Sequence, residues 1–329
     1  MYKGNRIGVV VPAFNEEAFV GEVIATVPAF VDRVYVVDDG STDGTWAEIQ
    51  RAARETNERA TVELTDGGVR ERRVVPIQHA ENRGVGGAIK TGYLRAREDR
   101  MDVTAVMGGD AQMDPDLLDR IVDPVAEGRA DYAKGNRLMN RDVDGMSQFR
   151  LVGNTILTVL TKIASGYWGI GDPQNGYSAI SLDALETVGI EEMYEFYGYC
   201  NDLLVRLNVH RMRVADVPAP VTYGDETSHI SYGTYVPKVS LMLFRTFLWR
   251  LWAGNVARRP HPLAACYGLG MAGGLAALVG GLRSRLTPRG DGRRSLGLLL
   301  ASTLVFVLGA VLDAAENDEL CVEVDGDDE

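Results

Sequence analysis

Carboxylates and amides close three apolar runs of this chain. VVPAFNEE places Asn15, Glu16 and Glu17 behind Pro12, VVDDGSTDGT places Asp38 and Asp39 at the end of a second run, and VMGGDAQMDP places Asp110 and Gln112 after a third. In a parallel α/β sheet, ligands bind outside the carboxyl ends of the strands, so the three ends are expected to form one polar floor. A carboxylate there accepts hydrogen bonds from a ribose hydroxyl or a base imide, and another can share a divalent cation with phosphate oxygens. Such a floor suits a nucleotide diphosphate and a metal ion. Between the second and third runs, Asn82, Arg83, Gly84, Gly86 and Gly87 lead into a helix carrying Lys90. Small residues at a helix start let backbone amides approach an anion.

The elements that must position these groups are also legible. Strand and helix signals alternate from Ile7 to about Val221, the pattern of an α/β fold with a mainly parallel sheet and helices on both faces. Ile7–Val11 is continuously apolar and Val34–Val37 nearly so, as strands buried on both faces should be. Thr45 followed by Glu48 predicts a capping box, and Asp114 before Pro115 predicts an N-cap with proline at the first helical position. Charged, aperiodic stretches near Arg51–Arg73 and Asn140–Gln148 read as surface excursions.

After residue 230 the pattern changes. Residues 231–262 read as an interfacial helix and linker, with Val236, Val239, Leu243, Phe247 and Leu251 on one side and Arg245, Trp249, Arg250, Trp252, Arg258 and Arg259 around them. Leu263–Leu282 and Leu296–Leu312 carry no charge and suit two transmembrane helices within residues 263–313. Residues 314–329 read as an acidic, disordered tail. Arg283, Arg285, Arg289, Arg293 and Arg294 crowd the loop between the spans. The positive-inside rule would keep that loop cytosolic, whereas two full crossings from a cytosolic domain put it outside. Gly270 and Gly274 permit close packing against the second span or against another copy, as in a homo-oligomer.

Composition narrows the function. A net charge of −12 argues against nucleic acid as a partner, which needs a basic footprint. Only Lys3, Lys90, Lys134, Lys162 and Lys238 are lysines, so the acidic, arginine-based surface suits a halophilic cytoplasm, although a GC-rich genome gives the same bias. Cys200, Cys266 and Cys321 lie far apart and imply no disulfide framework or cysteine metal site. MYKGNRIGVV lacks the apolar stretch of a signal peptide, so the expectation is a multi-pass cell-membrane protein with its catalytic part in the cytoplasm.

In this order and spacing, the segments resemble family 2 glycosyltransferases with the nucleotide-sugar-binding GT-A fold. The chain is most similar to polyprenyl-phosphate members of the dolichyl-phosphate mannose or glucose synthase type, including archaeal ones, over roughly residues 5–230 and the membrane hairpin. The resemblance implies inverting transfer of a hexose from a GDP- or UDP-linked sugar to polyprenyl or dolichyl phosphate at the membrane lipid surface. It places Pro12, Phe14, Glu16, Asp39, Asn82 and Lys90 around the nucleotide sugar, and Asp110 and Gln112 at a Mg²⁺ or Mn²⁺ ion.

The usual Asp-x-Asp motif has Gly108 at its first position here, leaving one carboxylate to hold the cation with diphosphate oxygens and water. Lys134, Gly135, Asn136, Arg137 and, a loop later, Arg150 match acceptor-phosphate positions, where guanidinium groups bind through paired hydrogen bonds. DPQNGY from Asp172 to Tyr177 corresponds to the segment beneath the sugar, and Tyr223, Gly224, Ser228 and His229 to a closing loop. Asn201 and Asp202 stand where the family has a Glu-Asp pair, and Asp202 matches the general base of members that glycosylate hydroxyls. A phosphate acceptor, with a second pKa of about 6, needs that base less. Two other readings follow from the same residues. One is transfer to a hydroxyl of a lipid-linked sugar or glycolipid, which requires Asp202 as base. The other is a membrane-anchored nucleotide-sugar sensor without turnover, motivated by Gly108 and Asn201 in place of carboxylates.

Overall fold

The computed structural model of the protein describes residues 1–62, 72–137, 148–219, 232–258, 261–286 and 292–324. Its first half runs Ile7–Ala13 (β1), Val20–Thr26 (α1), Arg33–Asp38 (β2), Thr45–Val62 (α2), Val74–Gln78 (β3), Val85–Glu98 (α3) and Val103–Val106 (β4). All four strands pair in parallel, with β1 between β2 and β4 and β3 outside β2. Because successive strand residues point to opposite faces, Val9, Val11, Val34 and Val36 enter one core and Val10, Tyr35 and Val37 enter the other. This two-sided burial is why the strands read as unbroken apolar runs.

The second half runs Leu118–Ala126 (α4), Tyr132–Asn136 (β5), Gln148–Ser165 (α5), Ser178–Ser181 (β6), Leu182–Thr187 (α6), Tyr199–Val209 (α7) and Val214–Pro218 (β7). Tyr232–Trp252 (α8), Pro262–Leu286 (α9) and Gly292–Asn317 (α10) then precede a short final strand, Cys321–Glu323 (β8). The eight-stranded sheet has the order β3-β2-β1-β4-β6-β5-β7-β8. β6 is antiparallel to both β4 and β5.

Three expectations change. Thr45 is the first residue of α2 rather than its cap: its hydroxyl accepts from the Glu16 N–H at 2.7 Å, and Asp43 accepts from the Thr45 N–H at 3.0 Å. Glu48 pairs with Arg51 instead of reaching back, so no capping box forms. In α8, the stripe of Val239, Leu243, Phe247 and Leu251 is buried against Ala164, Val205, Leu263 and Tyr267. The opposite stripe, Leu241, Phe244, Leu248 and Trp252, is exposed. The helix is apolar on both sides: the stripe grouped in the sequence packs on the domain, and the opposite one is exposed.

Residues 314–324 do not form a loose tail, because α10 continues to Asn317 and β8 joins the sheet edge parallel to β7; residues 325–329 lie outside the described residues. Arg211 holds this return with bonds to Glu316 at 3.1 Å and Glu319 at 2.8 Å. The expected N-cap at Asp114 is present, its side chain accepting from the Asp116 N–H at 2.9 Å ahead of Pro115.

The helices α9 and α10 form an antiparallel pair. A Cβ at Gly270 would meet Phe306, and Gly273 and Gly280 face Ser302 and Ser295. Both helices are long and apolar enough to cross a membrane, and Leu269, Leu275, Leu278, Leu282, Leu300 and Leu304 are exposed on them. At the domain end of the pair, Arg250 and Asp313 form a fully enclosed ion pair with bonds of 2.9 and 2.7 Å. Tyr267 Oη donates to Asp313 at 3.1 Å, Asn317 donates to it at 2.8 Å, and Arg250 reaches Asn208 on α7 at 3.3 Å and the Ile163 carbonyl on α5 at 3.1 Å.

Candidate active site

The register of the parallel strands brings the three predicted strand ends together. Ala13 lies opposite Asp38, the Asp39 N–H donates to Ala13 O at 2.9 Å, and the Gly109 N–H donates to Pro12 O at 3.1 Å. The loops after β1 and β2 are laced by bonds from the Asn15 N–H to Ser41 Oγ at 2.9 Å and from the Thr42 N–H to Asn15 Oδ1 at 2.9 Å. Asn15 adopts φ +57° to make this crossing, a conformation asparagine tolerates better than most residues. Phe14 is left 44% exposed at the rim, where a flat ring can cover a base.

Asp38 and Asp39 are both buried, but they differ in use. Asp38 Oδ1 accepts from the Ser41 N–H at 3.2 Å and Oδ2 from Gln78 at 3.0 Å, so it shapes the turn. Asp39 Oδ1 is met by His79 Nδ1 at 2.7 Å and by the Arg83 N–H at 2.9 Å. His79 was not among the sequence candidates. Its signal was available, since it directly follows the third parallel strand and so belongs to the same floor.

Asp110 turns back on itself. Ala111 takes φ +59°, a strained setting for a residue with a Cβ, and the Gln112 N–H donates to Asp110 Oδ1 at 3.2 Å. A Cβ added at Gly108 would stand 2.7 Å from the same oxygen, so the glycine keeps open the space beside the carboxylate. Among the described residues no three His, Cys, Asp or Glu side chains converge as a metal site. The donor set fits a cation of the Mg²⁺ kind, which binds through one or two carboxylates and completes its shell with substrate phosphates and water.

The glycine-rich turn before α3 serves packing. A Cβ at Gly84 would come within 2.7 Å of Glu195 O and one at Gly86 within 2.5 Å of Tyr194 O, while the Gly87 N–H already donates to Glu195 O at 2.8 Å. The 194–196 segment therefore occupies the place expected for an anion. Asn82 caps its own turn by accepting from the Gly84 N–H at 3.0 Å. Lys90, expected at the donor, is buried and bonds to Glu195 at 2.7 Å and to Glu191 O at 3.0 Å. The Lys90 bond, with Arg83 at 2.8 Å adding to it against the opposing effect of burial, holds the Glu195 carboxyl below the usual range.

Arg137 grips Asp172 with two bonds, 2.6 Å through Nε and 3.1 Å through Nη2. Burial would raise the Asp172 carboxyl, but the Arg137 bonds and charge, with Lys134 behind them, hold it below its ordinary value. Lys134, Asn136 and the Gly171 N–H converge on Asp216 of β7 at 3.0, 2.8 and 2.6 Å, and this network backs the Arg137 wall. Arg150 lies in the first turn of α5, and its side chain is outside the described residues, as are Tyr223, Gly224, Ser228 and His229.

Asp202 is 2% exposed on α7, and its Oδ2 accepts from Arg206 at 2.8 Å and from the Tyr194 N–H at 2.9 Å. Asn201 points into the protein and donates to Thr161 at 2.6 Å. Asp202 therefore anchors the segment that lies across the start of α3.

Comparison with known proteins agrees with this geometry. A UDP-N-acetylglucosamine–dolichyl-phosphate N-acetylglucosaminyltransferase of Methanococcus voltae is 27% identical over 66% of this chain and 86% of its own length. A polyprenol monophosphomannose synthase of Mycolicibacterium smegmatis is 25% identical over 69% of this chain and 80% of its own. In fold, the protein is similar to glucosyl-3-phosphoglycerate synthase of Mycobacterium tuberculosis, solved with Mn²⁺, UDP and glucosyl-3-phosphoglycerate. The TM-score is 0.52 and the identity 19%, over 75% of this chain and 80% of that one. Residues 8–189, which contain all three strand-end segments and the Arg137–Asp172 pair, match glycosyl transferase family 2. The strand-end floor is thus that of a GT-A glycosyltransferase, and the chain belongs to glycosyl transferase family 2.

Proposed function

We propose that the protein transfers a hexose, with inversion, from a GDP- or UDP-linked sugar to polyprenyl or dolichyl phosphate. The observation that carries this reading is the joining of the strand-end floor to an apolar, acid-free face. From Thr227 to Gly290 there is no Asp or Glu in a chain of net charge −12. Exposed Leu241, Phe244, Leu248 and Trp252 of α8 are accompanied by exposed Ile156, Val159 and Leu160 of α5, the helix with Arg150 in its first turn. A lipid phosphate lying on this face has its anionic head near Arg137 and its chain in the bilayer. The named activities of the relatives from Methanococcus voltae and Mycolicibacterium smegmatis support a lipid-phosphate acceptor.

In this reading Asp39 and Phe14 hold the base, and Pro12 and Glu16 frame the ribose side. The acceptor phosphate oxygen attacks the anomeric carbon as the bond from that carbon to the donor diphosphate breaks. Guanidinium groups at Arg137 and Arg150 orient the attacking phosphate. A Mg²⁺ or Mn²⁺ ion, held by Asp110 beside Gln112, would offset the charge that develops on the leaving diphosphate. With α9 and α10 both crossing the bilayer, the hairpin returns to the catalytic side and the arginine-rich loop lies on the other. In this reading the catalytic domain is cytoplasmic, and the arginines of the loop lie against the positive-inside rule.

The engagement of Asp202 Oδ2 by Arg206 and the Tyr194 N–H favours a phosphate over a hydroxyl acceptor, since a dianionic phosphate brings no proton to remove. Incubating membranes with labelled nucleotide sugars and identifying the labelled lipid tests the reaction. Asp202→Asn tests the acceptor class: a measurable rate whose pH profile follows the acceptor phosphate supports the proposal. Loss of about 10²–10⁴-fold with unchanged nucleotide affinity points to a hydroxyl acceptor and a general base.

A further inference from the structure

We infer that His79 is a positioning residue of the donor site, fixing Asp39 so that one carboxylate oxygen is closed and the other is presented to the nucleobase. This rests on the donor role proposed for Asp39. The His79 side chain is 7% exposed and spans two elements: Nδ1 is 2.7 Å from Asp39 Oδ1 and Nε2 is 2.9 Å from Thr91 Oγ1 on α3. An ionised carboxylate has no proton to give, so the hydrogen of the Asp39 contact belongs to Nδ1. The Arg83 N–H donates to the same oxygen at 2.9 Å. Both bonds therefore fall on Oδ1, and no bond from a described residue falls on Oδ2.

His79 is itself fixed. Its backbone N–H donates to Asp38 O at 2.9 Å, which ties it to the end of β2, and the Thr91 hydroxyl, 2.9 Å from Nε2 and 3.1 Å from Gly87 O, holds the far side of the ring. Without His79 the Asp39 carboxylate would keep only the Arg83 bond and could rotate about its side chain. With it, Oδ2 is an acceptor of set direction on a side chain that is otherwise buried. Uracil and guanine carry a ring N–H on their pairing edge, whereas cytosine and adenine carry a bare nitrogen there. A site built around a buried acceptor rejects the ligand that leaves it unpaired. The His79–Asp39 pair thus selects uracil or guanine donors.

The test is binding of UDP, GDP, CDP and ADP to the full chain in detergent, by calorimetry, together with steady-state kinetics. His79→Ala should weaken whichever of UDP or GDP the protein binds by about 10-fold or more, the scale of one hydrogen bond to a charged group. His79→Asn, whose amide nitrogen replaces Nδ1, should stay within about threefold of wild type, while His79→Gln should behave like alanine. kcat at saturating donor should stay near wild type in all three. Asp39→Asn should lose affinity too, and His79→Ala combined with Asp39→Asn should be no weaker than Asp39→Asn alone, because one acts through the other. Additive losses, or equal losses in the Asn and Gln variants, overturn the inference. So does an unaffected His79→Ala beside a weakened Asp39→Asn. Unchanged affinity in Asp39→Asn overturns the donor assignment of Asp39 itself.

Discussion

Charged groups are handled in opposite ways in two regions of this molecule. At the membrane end, Arg250 and Asp313 are 1% and 0% exposed and are bonded to each other and to Tyr267, Asn208, Asn317 and the Ile163 carbonyl. At the strand-end floor, Asp39 and Asp110 each have one oxygen tied to local N–H groups or His79, and none of these bonds falls on the other. An ion pair that, with its partners, joins five elements fixes how those elements sit. A charge with an oxygen left over can be offered to a ligand, the role proposed here for Asp39 and Asp110. Burial alone does not separate the two, since Asp39 is nearly as enclosed as Asp313.

The largest expected effect lies at the membrane end. Asp313→Leu leaves the Arg250 guanidinium buried without its partner and should destabilise the fold by about 3–5 kcal/mol in denaturant unfolding. Adding Arg250→Met should recover most of that loss, because apolar replacement of a whole buried pair is often neutral. A double variant as unstable as the single one would break the comparison. Next, Asp110→Ala should reduce divalent-dependent turnover by at least about 10²-fold while leaving thermal stability close to wild type, and no second substitution at the floor should restore it. Near-normal transfer would mean that the metal is held elsewhere.

Smaller effects sharpen the contrast. Arg137→Ala and Arg150→Ala should raise the lipid-phosphate concentration needed for half-maximal rate by about 10-fold, the scale of one charge-assisted hydrogen bond, with nucleotide affinity nearly unchanged. Lost nucleotide binding would assign them to the donor. The Arg137–Asp172 pair also predicts a pH effect. Because the Asp172 carboxyl is held low in the folded state, its stabilisation is present above the ordinary value of about 4 and is lost as pH falls through the lowered one. The stability gap between wild type and Arg137→Ala should therefore narrow in acid below about pH 4. A gap that stayed constant would show that the pair adds packing rather than charge.

What the sequence disclosed was local or periodic. Continuous apolar runs located β1 and β2, and Asp114 before Pro115 located a cap, because these signals sit within a few residues. Thr45 misled because its hydroxyl is claimed by the Glu16 N–H from the neighbouring loop. Gly84, Gly86 and Lys90 misled because the segment that packs on them arrives about a hundred positions later. For α8, an apolar stripe on each side left the period unable to say which one faces the domain. The acidic run after Asp313 had the composition of a disordered tail, and distant partners such as Arg211 and the β7 edge give it a reason to fold.

That last strand ties folding to synthesis. β7 leaves the ribosome before the hairpin and β8 after it, so the edge of β7 carries unpaired N–H and C=O groups until both long helices have been made. β7 also carries Asp216, which backs the Arg137–Asp172 wall. With the hairpin in the bilayer as proposed, insertion and closure of the sheet become a single maturation step. A hairpin that inserted only its first helix would strand β8 across the bilayer from β7 and leave that edge of the sheet open.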